Sequence, residues 1–291
     1  MKSMKSLLAE LDIIDTEQLE IFSTRTRDQA DLCVLRDTES GVIFIDGFLT
    51  EQSSYASGSY REELKKIYGA RHHEINIDVS RRIKDYKQFY VGKNILDFGC
   101  GEGSFLRGIM DLASSVSGLE IQTVYIDELK NDGINCLKGF QDIGTELYDT
   151  IFCFHTLEHL DQPIQVLEKF KSYLKPGGTL IVEVPHARDF LLSALQTEDF
   201  KNFTLWSQHL ILHTRDSLGR FFRAAGFENF IIQARQRYPL SNHLNWLKNK
   251  KPGGHKSILS VIDTDELSCA YEKSLQMIDA TDTLIAVVQN T

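Results

Sequence analysis

The sequence predicts an α/β fold built on a parallel sheet, and three observations carry that prediction. From Lys93 onward, short apolar runs alternate with helical patterns, as strand–helix–strand units do. One of those runs, Asn94-Ile95-Leu96-Asp97-Phe98, leads into three alternating glycines, Gly99, Gly101 and Gly103, and then into a helical pattern. The 291 residues are 42% hydrophobic and 25% charged, which is enough apolar surface for a core and excludes disorder of the whole chain.

The N-terminal elements come first. MKSMKSLLAELDIID places acids inside its apolar run, so it reads as an amphipathic helix and not as a signal peptide. Leu7, Leu8 and Leu11 mark that helix, and Leu19 and Phe22 after Thr16 predict a second one. In residues 30–46, two β-rich runs flank Asp37-Thr38-Glu39-Ser40-Gly41, a hairpin pattern. Ser53 to Gly58 is Ser- and Gly-rich and reads as loop. Between Arg61 and Tyr90, apolar residues at Leu64, Ile67, Tyr68, Ile75, Val79, Ile83 and Tyr86 recur at helical spacing. Residues 1–85 are therefore expected to form a small α+β accessory region, and residues 86–291 the main domain.

In the main domain NILDF, VSGLE, YDTIFCF and GTLIVEV read as buried strands. SFLRGIMDLA reads as the helix after the first of them. A second helix begins at Pro163, with Ile164, Leu167, Phe170 and Leu174 on one face, and Lys175-Pro176-Gly177-Gly178 stops it. Thr214 is the N-cap of a third, which runs through Leu218, Phe221 and Phe222 and ends before Gly226. FIIQAR and TLIAVVQ read as the last two strands, and residues 236–281 between them as an insertion at the functional edge of the sheet.

Several function classes are disfavoured by composition. No run approaches the roughly 18 apolar residues of a membrane span. The net charge of −9 leaves no global basic footprint for nucleic acid. The five cysteines are scattered, with no CxxC pair, so neither a disulfide framework nor a cysteine zinc site is expected, and a cytoplasmic location fits. The charge reverses locally: Arg235 to Lys256 holds six Lys or Arg residues and no acid.

The glycine turn carries the most information. A dinucleotide fingerprint, GxGxxG, would place its third glycine at position 104, which is Ser104. Asp97 before the first glycine would repel a pyrophosphate and suits a ligand with a cationic amine. Further motifs follow in order: Glu120, seventeen positions after Gly103; Tyr148-Asp149-Thr150-Ile151; Leu157-Glu158-His159-Leu160; Leu174-Lys175-Pro176-Gly177-Gly178; and Ala224-Ala225-Gly226-Phe227. Together they resemble the class I S-adenosylmethionine-dependent methyltransferases, over about two thirds of the chain. The resemblance implies a Rossmann-like, seven-stranded sheet of order 3-2-1-4-5-7-6 with the last strand antiparallel.

It also implies roles by position. Asp97, Gly99, Gly101 and Gly103 would line the methionine side of S-adenosylmethionine, and Glu120 would accept from the ribose. Phe140 falls where the adenine pocket is usually built, and reads more readily as ordinary core or pocket wall than as a specific adenine contact. Phe154 and His155 would face the sulfonium end. Methyl transfer to a hydroxyl needs alignment, exclusion of water and a base near neutral pKa. His159 is the first candidate base and His209 the second, and each reads equally as a structural histidine. His155, Glu158 and His159 fall at i, i+3 and i+4, so on a helical turn they would share one face. Ubiquinone-pathway O-methyltransferases and small-RNA 3′-terminal ribose methyltransferases carry a Glu-x-x-Glu-His metal site there, but His155 replaces the first Glu, and no metal is expected.

The basic segment RQRYPLSNHLNWLKNKKPGGHK mixes Tyr238 and Trp246 with cations, and Pro252-Gly253-Gly254 would let amides approach an anion. With the layout's likeness to bacterial sugar and polysaccharide methyltransferases, this leads to an expected acceptor: a small-molecule or saccharide hydroxyl, nucleotide- or phosphate-linked. In that layout the N-terminal region is a lid over the cofactor or a homodimer contact, with Tyr55, Tyr60 and Arg61 near the site. A metal-dependent RNA 3′-end ribose methyltransferase and a non-catalytic binding protein are the alternatives.

Overall fold

The computed structural model describes residues 2–47 and 72–291, with side chains of the second stretch from residue 77. The loop expected at Ser53 to Gly58, and Tyr55, Tyr60 and Arg61, lie outside the described residues.

The chain starts with helix α1 (Met4–Glu10), capped by Ser3, whose side chain accepts from Ser6 N. The second helix expected at Leu19 and Phe22 is instead a strand. Thr16–Gln18 makes a single 3₁₀ turn, and β1 (Leu19–Ser23) then pairs antiparallel with β2 (Val34–Asp37). Phe22 is buried while Ile21 is 62% exposed, the period-2 pattern of a half-buried strand overriding the helical reading. The predicted hairpin is present: β2 pairs with β3 (Ile43–Phe44) around the Asp37–Gly41 turn.

The chain then runs α2 (His72–Asp85), α3 (Lys87–Tyr90), β4 (Asn94–Phe98), α4 (Ser104–Ile109), β5 (Ser115–Leu119), α5 (Thr123–Asn131) and β6 (Asn135–Leu137). It continues with β7 (Tyr148–Phe154), α6 (Pro163–Tyr173), β8 (Leu174–Pro185), α7 (Glu198–Thr204) and β9 (Ile211–Leu212). It closes with α8 (Arg215–Ala224), β10 (Asn229–Arg235), α9 (Leu240–Asn249), α10 (Asp265–Met277) and β11 (Thr283–Gln289). Among the described residues the large sheet has seven strands in the order β10-β11-β8-β7-β4-β5-β6, with β11 antiparallel to both neighbours. This is the expected order and polarity.

Successive residues of the central strands bury opposite faces. Leu96, Ile151 and Val182 join Leu167 and Phe170 of α6 and Leu218 and Phe222 of α8. Ile95, Phe152 and Ile181 join Tyr86, Tyr90 and Phe105 on the other side. Both faces are covered, which is why these strands read as continuous apolar runs. Each fully buried side chain of this size contributes about 1.5–3 kcal/mol. The predicted Thr214 cap is also present, in a reciprocal box with Ser217.

The small sheet takes its fourth strand from the main domain. Ile43 pairs with Leu212 and Phe44 with Ile211, so β9 completes the order β1-β2-β3-β9. The N-terminal region is thereby fastened to the segment that carries His209.

Candidate active site

Because β4, β5, β7 and β8 run parallel, their C-terminal ends open on one edge, where open α/β sheets bind ligands. The glycine turn lies there. Gly99, Gly101 and Gly103 all have positive φ (74°, 56° and 73°), a conformation that a side chain would strain. A Cβ on Gly99 would sit 2.4 Å from Thr156 Oγ1, and one on Gly103 would sit 2.2 Å from Leu129 Cδ2. The first contact shows how closely the loops after β4 and β7 approach.

Two carboxylates flank this turn. Asp97 is buried, and burial pushes its pKa up to about 7, against the opposing pull of the Arg82 guanidinium. Glu120, also buried, accepts from Gly101 N (2.9 Å) with one oxygen and from Ile121 N and Gln122 N (2.8 and 2.9 Å) with the other. It therefore holds the glycine turn as well as standing at the end of β5. These groups fit S-adenosylmethionine: an acid suited to an ammonium, a turn of glycine backbone, and a second acid suited to hydroxyls. They do not fit a pyrophosphate. Phe140 packs between Phe98 (5.4 Å) and Tyr173 (5.8 Å), against the hydrophobic core.

At the end of β7, Phe154 stacks on Tyr86 at 5.7 Å beneath the Arg82 guanidinium. His155 follows in a left-handed conformation (φ 49°), uncommon for a residue with a side chain. Its backbone N donates to Glu183 O (2.8 Å), and Arg237 Nη1 donates to its Nε2 (3.0 Å).

The expected His155, Glu158 and His159 grouping is corrected by the structure. Leu157–His159 is a 3₁₀ turn, and it brings Glu158 and His159 together with His209, while His155 keeps only Nδ1 beside Glu158 and gives its Nε2 to Arg237. The ligand atoms of Glu158, His159 and His209 lie within 4.8 Å of one another. Glu158 has no exposed side-chain surface, and neither carboxylate oxygen has a hydrogen-bond partner; His155 Nδ1 is 3.5 Å from one of them. Burial would raise its pKa, but His155, His159 and His209 hold it at about 2. The His159 and His209 rings are 4.9 Å apart. His159 Nδ1 donates to Gln208 O (2.7 Å), which makes Nε2 its basic nitrogen. Burial keeps the His209 imidazole well below the usual histidine range, so its neutral form dominates.

The N-terminal region holds this loop in place. Arg27 stacks over Trp206 at 4.5 Å, and Asp28 accepts from Ser207 N at 3.0 Å. Leu210 N donates to Glu158 O at 2.9 Å, closing the loop onto the 3₁₀ turn.

A second, charged cluster was missed by sequence reasoning. Glu183, fully buried at the end of β8, accepts from Arg81 (2.9 Å), Arg82 (2.7 Å) and Tyr86 OH (2.6 Å), all on or just after α2. Burial would raise its pKa, but the two guanidiniums hold it well below the carboxylate range. The signal was present: Glu183 is the acid inside the apolar run Leu180-Ile181-Val182-Glu183-Val184. The basic insertion has both of its arginines in ion pairs. Arg235 pairs with Asp85 and Glu272, Arg237 pairs with Asp78, and Trp246 is buried against Phe200 and Phe203. Gly253 N donates to Asn242 Oδ1 rather than facing an anion.

The family described as "Methyltransferase domain" matches residues 71–230, more than half of the chain. The ubiquinone biosynthesis O-methyltransferase of Paraburkholderia phytofirmans is 26% identical over 185 residues, covering 59% of this chain and 79% of the relative. The mitochondrial ubiquinone biosynthesis O-methyltransferase of Schizosaccharomyces pombe is 26% identical over 210 residues, covering 64% and 74%. Among solved structures, a SAM-dependent methyltransferase from Archaeoglobus fulgidus superposes with a TM-score of 0.52 at 17% identity, covering 79% of this chain and 99% of that one.

Proposed function

We propose an O-methyl-transfer function from this premise: the chain belongs to the methyltransferase-domain family, and S-adenosylmethionine is its methyl donor. The acceptor is a hydroxyl of a small molecule. The observation that carries this reading is the pairing of His159 with His209 against the buried Glu158, at the sheet edge that holds the glycine turn.

When bound, the cofactor supplies an electrophilic methyl group. Asp97 is the partner for its ammonium and Glu120 for its ribose hydroxyls. Phe154 and His155, at the end of β7, would face its sulfonium. The remaining task is to hold the acceptor hydroxyl and receive its proton. His159 is oriented for that by Gln208 O, and Glu158 places a negative charge beside the imidazolium that forms. His209 and Trp206 pack against His159 and shield it from water.

The named relatives act in ubiquinone biosynthesis, which favours a phenolic hydroxyl; the basic, aromatic insertion read in the sequence as favouring a phosphorylated saccharide has most of its arginine charge neutralised internally. The test is formation of S-adenosylhomocysteine with catechol, methyl glucoside and UDP-glucose as probes. Turnover of catechol supports the phenolic reading. Turnover of UDP-glucose alone returns the acceptor to the saccharide class, and turnover of none contradicts both.

A second reading has a specific observation behind it. Glu158, His159 and His209 offer two half-buried imidazoles around one buried carboxylate, and the carboxylate lacks hydrogen-bond partners. That donor set fits a transition metal better than magnesium. Such an ion would polarise the acceptor hydroxyl, with the histidines serving as ligands and not as bases. Activity lost to a chelator and restored by zinc or manganese selects this reading; activity indifferent to the chelator selects the free base.

A further inference from the structure

The polar contacts at the end of β7 form a chain through three separate parts of the fold. Asp78 lies on α2, Arg237 opens the insertion after β10, and His155 ends β7. Asp78 accepts from Arg237 Nε (3.0 Å) and Nη2 in a bidentate pair. The Arg237 backbone N donates to Asp282 Oδ2 (3.0 Å), and Tyr238 N donates to the same carboxylate (3.1 Å). Both ends of the arginine are thus fixed, leaving Nη1 to meet His155 Nε2 at 3.0 Å.

A guanidinium has donors only and does not lose its proton in proteins. An imidazole nitrogen facing it must therefore offer a lone pair. That assigns the ring proton of neutral His155 to Nδ1, which lies 3.5 Å from Glu158 Oε1. The His155 backbone is left-handed and its N–H donates to Glu183 O, while the ring itself is held between Arg237 at Nε2 and Glu158 at Nδ1.

We propose that Arg237 is a positioning residue: aimed by Asp78, its Nη1–H holds the His155 imidazole in the Nδ1–H tautomer with that hydrogen turned toward Glu158. Two consequences follow. His155 is not the base, because its lone pair is occupied by a permanent cation. And the insertion contributes to the active site by orienting a side chain of β7, not by binding the acceptor's charge. The catalytic weight of this arrangement rests on the methyl-transfer reading; the tautomer does not.

The experiment is a two-bond ¹H–¹⁵N correlation spectrum of the uniformly ¹⁵N-labelled full chain at pH 8, without cofactor or acceptor. His155 is assigned by its loss in His155→Gln. The expected wild-type pattern is a protonated Nδ1 and a hydrogen-bonded, unprotonated Nε2. In Arg237→Gln the Nε2 resonance shifts away from its hydrogen-bonded value and the Nε2–H tautomer appears. Asp78→Asn, which leaves the arginine present but unaimed, gives the same change in smaller degree, and unchanged signals from the buried His186 and His213 certify the fold of each variant. An Nε2–H tautomer in the wild type overturns the proposal, as does an unaltered His155 pattern in both variants. With whichever probe acceptor the wild type methylates, Arg237→Gln lowers kcat on the order of 100-fold and leaves S-adenosylhomocysteine affinity little changed. If the wild type methylates none of the probes, the functional reading fails while the tautomer result stands.

Discussion

Glu183 Oε2 and Arg82 Nη2 lie 2.7 Å apart in a site where the carboxylate has no exposed surface, tying α2 to the end of β8. A buried pair of this kind costs most when only one partner is removed, because the other charge is left uncompensated. Glu183→Gln is expected to destabilise the chain by about 3–5 kcal/mol, read as a lowered urea midpoint. The pair also gives a pH signature. Its folded pKa is depressed, so its stabilisation is complete above the unfolded glutamate value near about 4.3. That stabilisation is lost as pH falls toward the folded value. Denaturation midpoints between pH 3 and 6 should fall more steeply for the wild type than for Glu183→Gln.

Asp97 is predicted to behave in the opposite sense. Burial raises its folded pKa to about 7, so the folded protein binds this proton more tightly than the unfolded chain. Its contribution is complete below the unfolded aspartate value and is lost as pH rises through about 7. A bound ammonium favours the ionised form. S-adenosylhomocysteine affinity should therefore rise between pH 6 and 8 in the wild type, and be weak and flat with pH in Asp97→Asn.

Gly99→Ala and Gly103→Ala each force a side chain into left-handed backbone, at about 1–2 kcal/mol, and against Thr156 or Leu129. Both should weaken cofactor binding. Gly99→Ala should do so more, because Thr156 belongs to the loop that carries Glu158 and His159. Ligand titration and thermal melts of the two variants separate the binding effect from the stability effect.

His159→Ala should reduce turnover by about 10²–10⁴, the usual contribution of a positioned base, and His209→Ala, which removes a ring packed on that base, should reduce it less, with cofactor affinity little changed in both. Full activity in both variants removes the catalytic role of the pair.

How much of this was legible in the sequence depended on whether the signal was local. The central strands, the glycine turn and the Thr214 cap declare themselves within a few residues, and the structure places them as expected. Leu19 to Phe22 was misread because Leu19 and Phe22 are spaced as on a helix, while pairing with β2 decides the strand. The histidine cluster was half visible. Glu158 and His159 are adjacent, but only the loop before β9 shows that His209 joins them. Arg237 looked like part of a basic surface, because its partner Asp78 lies 159 positions away on another element.

The central claim, that this chain binds S-adenosylmethionine at the Asp97–Gly103 turn, is tested most directly by calorimetric titration of S-adenosylhomocysteine, with NAD as the control ligand. One-site binding of S-adenosylhomocysteine, lost in Asp97→Asn, and no binding of NAD is the predicted result. Absence of heat with S-adenosylhomocysteine, or equal binding of NAD, would contradict it.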